Sequence, residues 1–177
     1  MAAFELITNT EVDSSGIANI AFASLGSYDH LYLVGSLRTD TSDSAGWDDV
    51  YWTFNGSSSD FSGVHYEVSN TSPVSGTFSN GKLTRATSSN ADAGFFNPFE
   101  VWIPNYRGTV GDKVFMVNYM TLGYASSTTY WRIFKVAASW KPTTPAAITS
   151  ISIGNLGGSD KFVEHSNISL YGVNGAD

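Results

Sequence analysis

The chain has 177 residues, of which 42% are hydrophobic and only 14% charged, with Phe 11, Tyr 9 and Trp 5; that balance excludes intrinsic disorder and suits one packed domain, residues 1–177, withdrawing roughly 70% of its unfolded surface from water. The formal net charge is −7 and the nine Lys and Arg stand singly along the chain, which excludes a phosphate-neutralising stripe, so neither nucleic acid nor an anionic membrane is an expected partner. Cysteine is absent, which removes disulfides, thiolate nucleophiles and cysteine-ligated zinc together, and no apolar run approaches the roughly 18 residues of a membrane span.

The opening stretch, "MAAFELITNTEVD", has no basic region ahead of an apolar run, so it reads as mature structure of a soluble protein made in a cytoplasm. Beyond it, turn residues recur about every 8–12 positions between short aromatic and β-branched runs. Strands are predicted over 3–8, 17–22, 30–38, 50–55, 62–68, 82–87, 94–103, 113–122, 129–138, 147–153 and 166–173. Helical spacing of apolar residues is nowhere sustained. The expected fold is all-β, an antiparallel two-sheet sandwich.

Alternation assigns faces, because successive side chains of a strand point to opposite sides. Leu31, Leu33 and Leu37 share one face of their strand; Val50, Trp52 and Phe54 share another, ahead of an Asn55-Gly56 tight turn; Ile151 and Ile153 alternate with Ser150 and Ser152. Two segments break the pattern of one greasy and one wet face. Over 113–122, Val114, Met116, Met120 and Leu122 oppose Phe115, Val117 and Tyr119; over 129–138, Trp131, Ile133 and Ala137 oppose Phe134, Val136 and Ala138. A strand in a two-layer sandwich faces one core, so the second apolar face requires a cover. Two covers are open: the long segment 68–81, lying over the sheet as a loop, or another chain. The candidate interface residues are Trp102, Phe115, Val117, Tyr119, Phe134, Val136, Trp47 and Trp140.

Motifs for chemistry are weak. Asp40, Asp43, Asp48 and Asp49 cluster within ten residues, yet the string from Asp40 misses the register of a calcium loop. A solvated connection is the expected role, with Trp47 the side chain placed to meet a neighbour. Asp48 and Asp49 are adjacent on an extended strand and point apart, unlike a glycosidase pair across one cleft; Glu100 shares a face with Trp102 but has no identifiable partner acid. His30, His65 and His165 are isolated in sequence, with none of the short spacings of a zinc or iron site. There is no G-x-S-x-G elbow, and "GNLGGSD" precedes a strand where a phosphate loop needs a helix. Catalytic residues, metal ligands and cofactors are therefore expected to be none. Trp47, Trp102 and Trp140 could serve as sugar-stacking ledges, although burial is the commoner fate of tryptophan.

Taken in order, "FELI", "YDHLYLVGSLRTD" (28–40), "WTFNGSSSDFSGVHY" (52–66), "FEVWIPNYRGT" (99–109), "AITSISI" ending at Ile153 and "SNISLYGV" (166–173) resemble the small β-sandwich structural proteins of tailed-phage virions, the capsid decoration (cement) proteins and tail-fibre domains. The resemblance implies a jelly-roll-like sandwich, trimeric assembly, the major capsid protein or other virion proteins as partners, and residence in the virion after assembly in the host cytoplasm. It implies no catalytic residue. The lack of an attached shaft favours a decoration protein over a fibre; the alternative is a tail-fibre or receptor-binding module that recognises a cell-surface glycan.

Overall fold

The computed structural model describes residues 4–42, 44–69, 72–125, 128–154 and 158–175, and side chains within these except for residues 123–130. Twelve strands follow one another: β1 (Phe4–Glu11), β2 (Asn19–Phe22), β3 (His30–Leu37), β4 (Trp47–Phe54), β5 (Phe61–Ser69), β6 (Pro73–Phe78), β7 (Lys82–Thr87), β8 (Asn97–Ile103), β9 (Lys113–Ala125), β10 (Thr128–Trp140), β11 (Ile151–Gly154) and β12 (Asn167–Val173). They form two antiparallel sheets, a wide one in the order β1-β12-β3-β8-β9-β10-β5-β6 and a narrow one in the order β2-β11-β4-β7. Leaving out β5, β6, β9 and β10, the chain crosses between the sheets at every step except from β4 to β7, which pair within the narrow one, and yields two four-stranded sheets, β1-β12-β3-β8 against β2-β11-β4-β7. That is a jelly roll. The other four strands are two hairpins, inserted after β4 and after β8, which pair with each other and with β8 to double the width of one sheet.

The core follows from alternation. Leu31, Leu33 and Leu37 of β3, Val50, Trp52 and Phe54 of β4, Ile151 and Ile153 of β11, and Ile168 and Leu170 of β12 are all buried between the sheets. Phe54 centres an aromatic cluster, its ring 5.0 Å from Phe61, 5.4 Å from Phe115 and 5.8 Å from Trp140. The buried Trp52 indole N–H donates to the Thr84 hydroxyl at 3.0 Å, and buried Asn97 joins Thr87 to Thr121 through two 2.8 Å bonds, so these interior polar groups are satisfied, as burial requires, whereas the Trp140 indole N–H has no hydrogen-bond partner among the described residues. The Asn-Gly turn forms as expected: Asn55 and Gly56 have φ 53° and 79°, and Phe54 and Ser57 exchange both backbone hydrogen bonds across it.

One of the two open covers is removed. The described residues of 68–81 do not lie over the sheet as a loop; Pro73–Phe78 is β6, paired with β5 as the last strand of the wide sheet. Its signal is weak because Gly76 interrupts the alternation, but glycine is what the pairing needs. Phe78 lies across Gly63 and His65 across Gly76, each ring about where the facing residue's Cβ would be. The segment extends the sheet in its own plane and covers neither face.

Candidate functional site

The residues that point away from the narrow sheet form a continuous surface across the wide one. Cross-strand register places Leu6, Tyr171, Tyr32, Trp102, Met116, Ala137, Val64 and Thr77, one from each strand, in a single row, spanning about 34 Å at the usual strand spacing. Every member but Thr77 is apolar or aromatic. The parallel row through Asn118 is polar at its centre, with Glu100 on one side and Lys135 on the other, and beyond it stand Pro98, Met120, Ile133 and Val68. A shallow groove of about 490 Å³ spans the two rows, lined by Glu100, Asn118 and Lys135 together with Pro98, Met120 and Ile133.

Exposure separates the two apolar faces of β9 and β10. Val114 (61%), Met116 (57%), Ile133 (52%) and Trp131 (46%) face solvent, whereas Phe115 and Phe134 are 1% exposed against the core. The apolar residues on both faces are therefore real, and the described part of the chain leaves Val114, Met116, Trp131 and Ile133 of the outer set exposed, whereas Leu122, expected on the same side, is 2% exposed. Such an expanse exceeds the scattered apolar exposure of an ordinary monomer.

The predicted interface residues divide accordingly. Trp102 lies on the outer face, half-exposed, its ring 5.3 Å from His30 and 6.5 Å from Tyr32. Phe115, Val117, Phe134, Val136 and Trp140, expected at an interface, are instead buried in the interior on the core side of the sheet, where they are not exposed to a partner. Tyr119 is on the core side too, stacked on Phe134 at 4.4 Å with its ring tilted by 5°, and burial pushes its hydroxyl pKa up. Val64, Tyr66 and Val68 of β5 belong to the outer face and were not singled out, although their i, i+2, i+4 spacing opposite His65 and Glu67 marks them.

Trp47 does not wait for a neighbour. Its ring is packed by Arg85 at 4.9 Å and Arg132 at 4.5 Å, and Arg85 also lies 4.9 Å from the Phe134 ring. Tyr119, Phe134, Arg85, Trp47 and Arg132 thus form one run of alternating rings and guanidinium groups at the side of the sandwich where the wide sheet overhangs β7. Asp49 pairs with both Arg85 and Lys82, and Glu67 with Arg132 at 2.8 Å. Cation–π contact and charge pairing together close the open side of the core.

The acidic cluster is likewise structural. Asp40 accepts the Lys161 backbone N–H at 2.7 Å, Asp48 accepts the Thr41 hydroxyl at 2.9 Å, and Asp49 holds the ion pairs just described, so these residues are bonded to the fold and not merely solvated. Asp43 lies outside the described residues. No three His, Asp or Glu among the described residues gather as metal ligands. His30 accepts the Asn105 N–H on Nδ1 at 3.0 Å, His65 packs on Phe134, and His165 is exposed beside Glu11.

On the outer face Glu100 accepts the Tyr32 hydroxyl at 2.7 Å and the Asn118 amide at 2.8 Å. Both bonds hold its carboxyl below the usual carboxylate range, while burial and then Glu100 push the Tyr32 hydroxyl up to about 12. Glu100 is thus a fixed anion at neutral pH. The arrangement supplies a broad apolar plate with one fixed negative and one positive group near its middle, suited to binding another surface. Comparison with protein-family models, with curated proteins and with solved structures finds no match.

Proposed function

We propose that the protein is a non-enzymatic structural component of a tailed-phage particle, a capsid decoration or cement protein that assembles in the host cytoplasm and clamps neighbouring capsomers by protein–protein contact. The observation that carries this reading is the uncovered apolar outer face of the wide sheet. The four added strands contribute Phe61, Phe115 and Trp140 to the core, but they also direct Met, Ile, Val and Trp at water, which costs solubility in the isolated chain; that cost is offset if the face is buried on assembly. Contact burying on the order of 1,000 Å² suffices for specific docking, and many symmetry-related copies add avidity without new contacts. A protein that binds only the closed shell stabilises it by mass action. The resemblance to phage virion proteins supplies the particle; the outer face supplies the means.

The test is the protein content of intact particles of the phage that carries this coding sequence. The chain should be recovered in a copy number tied to shell symmetry, and Ile133→Asp, which places a charge on the face without touching the core, should deplete it at least tenfold from particles. Absence of the wild-type chain from particles overturns the proposal, and a handful of copies moves it to the tail. The tail reading has its own support in half-exposed Trp102 between His30 and Tyr32, a ledge on which a sugar ring could stack; binding on a glycan array that Trp102→Ala abolishes would favour it.

A further inference from the structure

We infer that the occupant of the outer face is a second copy of this chain, packed face to face about a two-fold axis that lies in the interface, runs roughly along β9 and passes over Asn118. The inference rests on the proposed reading of this face as an interface, and adds its occupant and geometry, in place of the three-fold assembly implied by the resemblance.

The argument is self-complementarity. In a two-fold contact, whatever residue i meets, the same residue on the second copy meets i. Glu100 and Lys135 are the cross-strand neighbours of Asn118 on either side, each about one strand spacing, ~4.8 Å, from it. A half-turn about an axis along β9 therefore sets Glu100 of each copy over Lys135 of the other. A two-fold through the same point but directed across the strands would set Glu100 over Glu100 and Lys135 over Lys135. Charge alone selects the first.

Size agrees with charge. In the adjoining row the same rotation brings Trp102 over Ala137 and Tyr32 over Val64, since these stand at equal distances from Met116 on opposite sides; the bulkier member of each pair meets the smaller. On the other side Ile133 comes over Pro98, at the groove of about 490 Å³. Met116 and Met120 fall on the axis, where each must face its own copy, and an unbranched thioether is the side chain that adapts best to that demand. Sheets packed face to face cross at about 30°, so the axis bisects that angle, within roughly 15° of β9.

Area is sufficient. Val64, Tyr66, Val68, Val114, Met116, Trp131 and Ile133 are each 40–61% exposed. At ordinary side-chain areas they present on the order of 700 Å² of accessible surface, close to the ~800 Å² per partner of a standard interface. A two-fold pair also offers two copies of every other surface, as a clamp across two capsomers requires.

Charge reversal tests the geometry. By sedimentation equilibrium at micromolar concentration the wild-type chain should be a dimer. Lys135→Glu alone, and Glu100→Lys alone, should each weaken self-association at least about tenfold, because each sets two like-charged pairs face to face. An equimolar mixture of the two should recover the dimer, since every contact across the axis is then between opposite charges; unchanged circular dichroism shows that neither variant has lost the fold. A wild-type monomer, a trimer, or a mixture that associates no better than its components overturns the inference. The assembly reading fails separately: a wild-type monomer that enters particles and loses that property on Ile133→Asp removes the second copy but keeps the particle, whereas a dimer that never enters particles does the reverse.

Discussion

Asp48 shows how one residue of an acidic cluster becomes a small burden in the fold. It is half-buried on β4, and its carboxyl pKa is raised, first by loss of solvent and further by the charges of Asp160 and Asp49, against the opposing pull of the Thr41 hydroxyl. A raised carboxyl pKa means that the folded chain holds the proton more tightly than the unfolded one, so this group adds stability as pH falls through its folded value and subtracts it at neutral pH. Asp48→Asn keeps an acceptor for Thr41 and removes the charge. It should raise the melting temperature at pH 7 by at most a few degrees, and the gain over wild type should vanish by the acid range, where Asp48 is itself protonated. Thermal denaturation of both proteins between neutral pH and pH 3 checks it; a variant less stable at pH 7 would show that the carboxylate is held by more than it loses. In the sequence only the count of acids near Trp47 was legible. Their partners, Lys161, Lys82 and Arg85, lie far along the chain or on a facing strand, and no local pattern announces them.

At the scale of the element, alternation was a sound guide to where strands lie and which residues share a face. The inward sets of β3, β4 and β11 were all read from it. For β9 and β10 it also gave the two apolar sets, but not which set meets the core, because Phe115, Val117 and Phe134 differ from Met116, Val114 and Ile133 in shape and not in polarity; the choice is made by the narrow sheet, which only tertiary structure places. The strand β6 of the inserted hairpin was missed for a different reason, whereas its partner β5 was expected over 62–68. Strand preference disfavours glycine, yet Gly63 and Gly76 are each covered by an aromatic ring of the facing strand, a pairing that replaces the missing side chain. A Cβ on Gly63 would sit 2.5 Å from the Ala137 carbonyl oxygen and 2.7 Å from the Phe78 ring. Gly63→Val therefore sets strand preference against a clash with backbone. The clash should win, because the carbonyl belongs to the β10 pairing and cannot swing aside, and the variant should lose about 1–3 kcal/mol in urea denaturation. A gain in stability would mean that the hairpin is held less closely than the Phe78–Gly63 contact requires.

For the whole molecule, the decisive contrast lies between neighbours on one strand. Phe115 and Met116 are consecutive, both apolar, and 1% and 57% exposed respectively. In the isolated chain Phe115→Ala should cost about 3–5 kcal/mol, since it empties space beside Phe54 and Phe61. Ile133→Thr, on the far side of the same sheet, should change stability by no more than about 0.5 kcal/mol. That near-neutrality is expected only while the chain is alone. If copies associate through the outer face, the folded dimer draws the unfolding equilibrium toward itself and the wild-type melting temperature rises with protein concentration. Ile133→Thr, which weakens association while leaving the core intact, should flatten that dependence, so the two proteins should melt together when dilute and diverge when concentrated. A constant difference at all concentrations would make Ile133 an ordinary stabilising residue of the monomer, and the apolar plate a surface that no second copy needs.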